Sequence, residues 1–148
     1  MRSLFCCTLK NDRGVSAIEF AIISPVMIML MIGIFQFGVA MNHYLNLTNA
    51  VAQGALTLAL SRGTTTPYTS TTSAITSAAP NLAPGQTTIT VRINGTACTN
   101  DATCAAALVA GQAALVRATY PCNLTVMGVN YAPGGTCSLS AQTSQMIQ

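Results

Sequence analysis

From Phe20 to Ala40 the chain reads FAIISPVMIMLMIGIFQFGVA, 21 residues interrupted only by Ser24, Pro25 and Gln36. A helix of about 20 apolar residues is long enough to span a bilayer. Past this run, Tyr44, Leu47, Val51, Ala55 and Leu58 recur at steps of three and four, the period of one helical face. The two patterns abut, and Arg62 followed by Gly63 supplies a helix stop. Together they predict one helix from Val15 to Arg62, about 48 residues and about 70 Å long at 1.5 Å per residue. Pro25 lacks a backbone donor, so it predicts a kink or a place near the helix start. The stripe from Tyr44 to Leu58 is expected to pack on its own domain, with a partner helix as the alternative. Met27, Met29 and Met31 read as lipid-facing or bundle-filling side chains.

Gly63 to Gln86 is rich in Thr, Ser, Pro and Ala. Its first part, GTTTPYTSTT, reads as a loop, and SAITSAA as a short helix before Pro80. Ile89, Val91 and Ile93 then alternate with Thr88, Thr90 and Arg92, the pattern of a half-buried strand. Val116, Ala118 and Tyr120 alternate with Leu115, Arg117 and Thr119 in a second, and Leu139 and Ala141 mark a third. Between the first two, DATCAAALVAGQ reads as a short helix carrying Cys104. The expected fold class is α+β: a long N-terminal transmembrane helix extending into a small antiparallel sheet, with disulfides compensating for a thin core. The expected divisions are residues 1–14, 15–62, 63–86 and 87–148.

Composition sharpens the membrane reading. Charged residues make up 6% of the chain, against roughly 25% in soluble domains. Arg2, Lys10 and Arg13 precede the apolar run, while Arg62, Arg92 and Arg117 are scattered behind it. The cation bias places Met1 in the cytoplasm and the C-terminal part outside. No basic patch is left for nucleic acid.

Cysteine usage agrees with export. Cys98, Cys104, Cys122 and Cys137 fall in the exported part, an even number in a small, loop-rich segment, as in a disulfide framework. Of the three connectivities, the sequence-local one, Cys98 with Cys104 and Cys122 with Cys137, is favoured. A zinc site is disfavoured because no CxxC pair occurs and His43 lies beside the membrane run. Cys6 and Cys7 precede the apolar run and read as reduced thiols, with juxtamembrane acylation as the alternative.

Glu19 is the only glutamate, and it stands at the threshold of the apolar run. A secretory signal cut after Gly38-Val39-Ala40 leaves it unexplained and needs a shorter core. A plain anchor gains nothing from a carboxylate that costs on the order of 2.5–3.5 kcal/mol at the bilayer centre. A cut between Gly14 and Val15 gives Glu19 a use. The new chain begins VSAIEF, with a free amine one helical turn from the carboxylate. An α-amino group titrates at roughly 7.7–8.0 and is mostly cationic at neutral pH. Between bundled helices such a pair is satisfied in one axial stagger only, so it specifies register more than it adds stability. The first helical turn also favours an anion through the helix dipole.

Gly14 followed by Val15-Ser16-Ala17-Ile18-Glu19-Phe20 resembles the prepilin processing motif, in which a peptidase cuts after glycine and glutamate is the fifth mature residue. More narrowly, RGVSAIEFAIISPVMIMLMIGIFQFG is similar to the N-terminus of TadE-like pseudopilins of the tight-adherence pilus. The shared features are Arg13, Gly14, Ala17 to Phe20, Pro25 and Phe37-Gly38. The continuation NHYLNLTNAVAQGALTLAL resembles the family's helix beyond the membrane, and VRATYPC with a short final strand resembles its ending. The resemblance is close over residues 13–62 and loose beyond.

The resemblance implies a pilin-like minor subunit of a Tad-type adhesive pilus. Gly14 and Val15 would flank the bond cut by an inner-membrane prepilin peptidase, and Glu19 would serve subunit packing. The implied partners are the inner membrane, that peptidase, other pilins or pseudopilins and the assembly platform. The implied location is the bacterial inner membrane with a periplasmic C-terminal domain, or the pilus at the cell surface. No cofactor is implied. The segment beyond the helix is longer than the major pilin's is expected to be, which points to an accessory subunit.

Catalytic chemistry finds no support. After the expected cut the chain keeps Glu19, Asp101 and His43, which form neither a triad nor an acid/base pair. GxSxG, HExxH and phosphate-cradling glycine motifs are absent from the sequence. The alternative function is a binding domain of the cell envelope, membrane-anchored or secreted and held by disulfides.

Overall fold

The computed structural model describes residues 12–83, 85–122, 125–126, 129–130 and 136–148. Arg2, Cys6, Cys7 and Lys10, which precede the apolar run, lie outside the described residues. The described residues fall into two compact units, one up to Phe35 and one from Gln36 onward.

The first helix, α1 (Asp12–Leu60), is 49 residues long. Its end falls two residues before the expected stop. The Ser61 N–H donates to the Leu58 carbonyl at 3.1 Å and the Thr64 N–H to the Ser61 carbonyl at 3.1 Å, while Gly63 takes φ +80°. A left-handed φ is unstrained for glycine, so the chain turns there. Pro25 lies inside α1. It removes the N–H that would reach the Ala21 carbonyl, and the Ser24 hydroxyl donates to that oxygen at 3.4 Å.

In the first unit the described side chains of α1 are almost all exposed, including Ile18, Phe20 and Phe35. By length and composition α1 is apolar enough to cross a membrane. In the second unit one face of α1 is covered. Leu47, Ala50, Val51, Ala55 and Leu58 are fully buried and belong to the core cluster. The expected stripe thus packs on its own domain, but Tyr44 does not join it, being 39% exposed.

The second helix, α2 (Pro67–Ala78), corrects the sequence reading, which placed a loop over GTTTPYTSTT and a helix only from SAITSAA. Pro67 occupies the first turn, where a missing N–H costs nothing. Thr and Ser have modest helix propensity, but Pro67, Thr71 and Ile75, four residues apart, bury one face. That packing outweighs the propensity. The Thr71 hydroxyl donates back to the Pro67 carbonyl at 2.8 Å, so the buried oxygen is satisfied.

The sheet contains β1 (Thr88–Ile93), β2 (Thr96–Cys98), β3 (Ala113–Cys122) and β6 (Cys137–Met146) in the order β2-β1-β3-β6, all neighbours antiparallel. A separate pair, β4 (Thr125–Val126) and β5 (Val129–Asn130), lies between β3 and β6 in sequence. Alternation works as expected: Val91 and Ile93 of β1, and Ala114, Val116, Ala118 and Tyr120 of β3, point into the core. Register sets Val91 opposite Val116 and Ala118 opposite Ala141. The opposite face carries Thr90, Arg92, Arg117 and Ser140, all exposed, and the Arg117 Nε–H donates to the Ser140 hydroxyl at 3.0 Å.

Two elements went unread in the sequence. The β1–β2 hairpin turns through Asn94 and Gly95, with φ 49° and +82°. Positive φ at both centres is the turn geometry that matches strand twist, and Asn-Gly is its usual sequence. The β4–β5 pair is the other. The helix α3 (Asp101–Ala107) starts where expected but stops five residues before Gln112. Leu108 leaves the helix to be buried in the core, and Gly111 takes φ +81°.

Candidate functional site

Gly14, Val15 and Glu19 all lie on α1, within the backbone of its first two turns. The Gly14–Val15 bond lies within α1, two residues past Asp12, the first residue the structure describes. Glu19 is exposed, with Ile18 and Phe20 beside it 64% and 73% exposed. Carboxylate and α-amine would be one turn apart after a cut, because residues i and i+4 share a helical face.

Cys98, Cys104, Cys122 and Cys137 form two pairs. Cys98 of β2 joins Cys104 of α3 with a Cα separation of 5.1 Å, and Cys122 of β3 joins Cys137 of β6 at 5.0 Å. These are the two sequence-local pairs. The first is part of the core cluster, with Cys98 3% exposed and Cys104 fully buried; the second is half-exposed.

The sequence did not mark what Asp101 does. As the first residue of α3 it follows Asn100, whose side-chain oxygen accepts from the Thr103 N–H at 2.9 Å. Its own carboxylate reaches across to α2, accepting from the Thr69 N–H at 2.8 Å and the Thr69 hydroxyl at 2.6 Å. Those hydrogen bonds, the hydroxyl's foremost and the amide's next, hold the Asp101 carboxyl below its ordinary range. Asp101 is therefore committed to structure. No local sequence pattern signals a partner 32 residues away.

His43 meets Tyr120 edge-on, ring centroids 5.6 Å apart, and the Tyr120 hydroxyl accepts from the Ala83 N–H at 3.3 Å. Among the described residues no group of three His, Cys, Asp or Glu side chains is placed to hold a metal ion. A cleft of about 260 Å³ beside Ile75, Ala79, Pro80, Leu82 and Thr87 has no ionisable side chain in its described lining. The chemistry available on the apolar stretch of α1 is thus the pairing of the Glu19 carboxylate at its start, and in the second unit it is thiol–disulfide chemistry.

Residues 14–56 match the family of TadE-like proteins, the segment that contains Gly14, Val15, Glu19 and Pro25. No curated protein and no solved structure matches the chain.

Proposed function

From an N-terminal segment that is TadE-like, we propose that this protein is a minor pilin-like subunit of a Tad-type adhesive pilus, with a structural rather than an enzymatic role. A prepilin peptidase of the bacterial inner membrane cuts between Gly14 and Val15. The cut removes three cations and Asp12, taking the formal charge from +3 to +1, and creates the Val15 amine. α1 stays in the membrane with the disulfide-bonded domain on the periplasmic side, where disulfides form and persist. From there the subunit joins other pilins or pseudopilins at the assembly platform, or is carried into the pilus.

The observation that carries the reading is Glu19: the sole glutamate of the chain, exposed at the start of the apolar run of α1, within the family-matched segment. A carboxylate there demands a partner. The Val15 amine of a neighbouring subunit is one, and the fixed distance between amine and carboxylate then sets the stagger of adjacent helices.

The test is the N-terminus of the protein recovered from membranes of its native host, with and without the prepilin peptidase. A start at Val15 that is lost without the peptidase supports the reading. A start at Met41, or an intact Met1, overturns it and leaves an envelope binding domain in its place.

A further inference from the structure

We propose that the outer edge of β6 is a pairing surface for a second copy of this chain, which adds its own β6 antiparallel across a two-fold axis at Gln142. The proposal does not depend on the pilus reading. It rests on how differently the sheet ends at its two sides.

The β2 edge is protected. β2 is three residues long, and its last residue is tied to α3 through Cys98–Cys104. Very short edge strands and covering elements are common means of keeping an edge from pairing. β6 has no such device among the described residues. It runs for ten residues, Cys137–Met146, in unbroken register with β3. Its sequence, CSLSAQTSQM, holds neither a charge nor a proline, and among the described residues no strand pairs with its outer side. A long, regular, uncharged edge presents a row of N–H and C=O groups on which another strand is added.

The hydrogen bonds fix which groups those are. The Ile147 N–H donates to the Gln112 carbonyl and the Gly111 N–H to the Ile147 carbonyl, both at 2.9 Å. On the other side of β3, the Asn94 N–H donates to the Ala113 carbonyl at 2.9 Å, so Ala113 turns its backbone toward β1 and Ala114 toward β6. Ala114 lies opposite Gln145, and the odd-numbered residues of β6 therefore spend their backbone groups on β3. Ser138, Ser140, Gln142, Ser144 and Met146 direct theirs outward, and their side chains are exposed.

A second copy fits this set. The outward residues are centred on Gln142, so a two-fold axis sets Gln142 opposite itself, Ser140 opposite Ser144 and Ser138 opposite Met146. Each such pair exchanges two backbone hydrogen bonds. A register shifted by one pair leaves an outward residue of each copy unmatched. The side chains suit self-pairing as well, because glutamine and serine both donate and accept. Ser140 Oγ accepts from the Arg117 Nε–H, which leaves its own O–H for Ser144 of the second copy. Without charges, identical strands meet free of the like-charge repulsion that opposes self-pairing. The contact is isologous and closes after two copies.

The experiment follows the full-length protein in detergent by sedimentation over a range of concentrations, where a reversible dimer is expected. Gln142→Lys sets two like charges together at the axis and should weaken the dimer at least about tenfold. Thr90→Lys, exposed on the same face but within the sheet, should leave it unchanged. Gln142→Pro deletes an outward N–H, which an edge strand tolerates, and should keep the native circular dichroism while losing the dimer. Oxidation of Gln142→Cys should give a 142–142 crosslink, read by mass, since Cα atoms about 5.5 Å apart are within disulfide reach. Ser138→Cys should give none, because its two copies lie about 26 Å apart at about 3.3 Å per residue. A monomeric wild type, a dimer indifferent to Gln142→Lys and Gln142→Pro, equal crosslinking at the two positions, a strand of another protein paired with β6, or failure of both position-142 variants to fold would each overturn the proposal.

Discussion

Asp101 caps a helix to which it does not belong. Its two carboxylate oxygens take the amide and the hydroxyl of Thr69, in the first turn of α2, while it also opens α3. α2 needs this help, because Thr66 at its N-cap makes no side-chain capping bond. The first-turn amides of a helix otherwise lack acceptors, and both helix dipoles favour an anion at this junction.

Asp101→Asn keeps one acceptor oxygen but loses the charge, and should lower the Tm of the C-terminal domain at pH 7. The wild-type carboxyl sits below its ordinary range when folded, so the unfolded chain binds the proton more readily. Its stabilisation is complete above the unfolded value of about 3.9 and is lost as pH falls through the lower folded value. The Tm gap between wild type and variant should therefore narrow below about pH 4. A melting series from pH 7 to pH 2, followed by circular dichroism, measures it; a gap that stays constant across the series refutes the charge-based cap.

At Gly54, α1 packs against Ile75 of α2. A methyl group there would overlap Ile75 Cγ1 and come within 2.7 Å of Cδ1, so the buried Ile75, 1% exposed, would have to shift. Overpacking costs about 1–3 kcal/mol, against about 1 kcal/mol gained in helix propensity. Gly54→Ala should be net destabilising in urea unfolding. In an Ile75→Ala background, where the obstructing atoms are gone, the same substitution should become neutral or stabilising.

Gly95 completes the turn between β1 and β2 at φ +82°. Side-chain-bearing residues pay about 1–2 kcal/mol in the left-handed region, so Gly95→Ala should destabilise the domain by that amount. Gly95→Asn should cost less, since asparagine tolerates this conformation. Chemical denaturation of the three proteins gives the ranking.

Glu19→Ala should abolish incorporation or pilus production while leaving export, both disulfides and the melting of the C-terminal domain unchanged. The separation is expected because Glu19 lies in the first compact unit and every core residue in the second. Immunoblots of membrane and sheared pilus fractions read assembly, and alkylation under non-reducing conditions reads folding. Normal assembly by the variant would remove the role given to the carboxylate.

What the sequence determined alone was whatever depends on near neighbours. The membrane-length run, the buried face from Leu47 to Leu58 and the alternation in β1 and β3 are periodicities within single elements, and each is legible without knowing what covers it. The Asn94-Gly95 turn was equally local and equally legible, though unread. The tertiary structure decided the rest. α2 begins at Pro67 because α1 buries its Thr71 and Ile75 face and Asp101 accepts from its first turn, neither of which local propensity contains. Gly54 matters only because Ile75 arrives opposite it, and the two disulfides differ only because one is folded into the core and the other ends a ladder. Periodicity is a property of the chain, whereas a cap, a close approach and the exposure of a bond are properties of pairs that folding brings together.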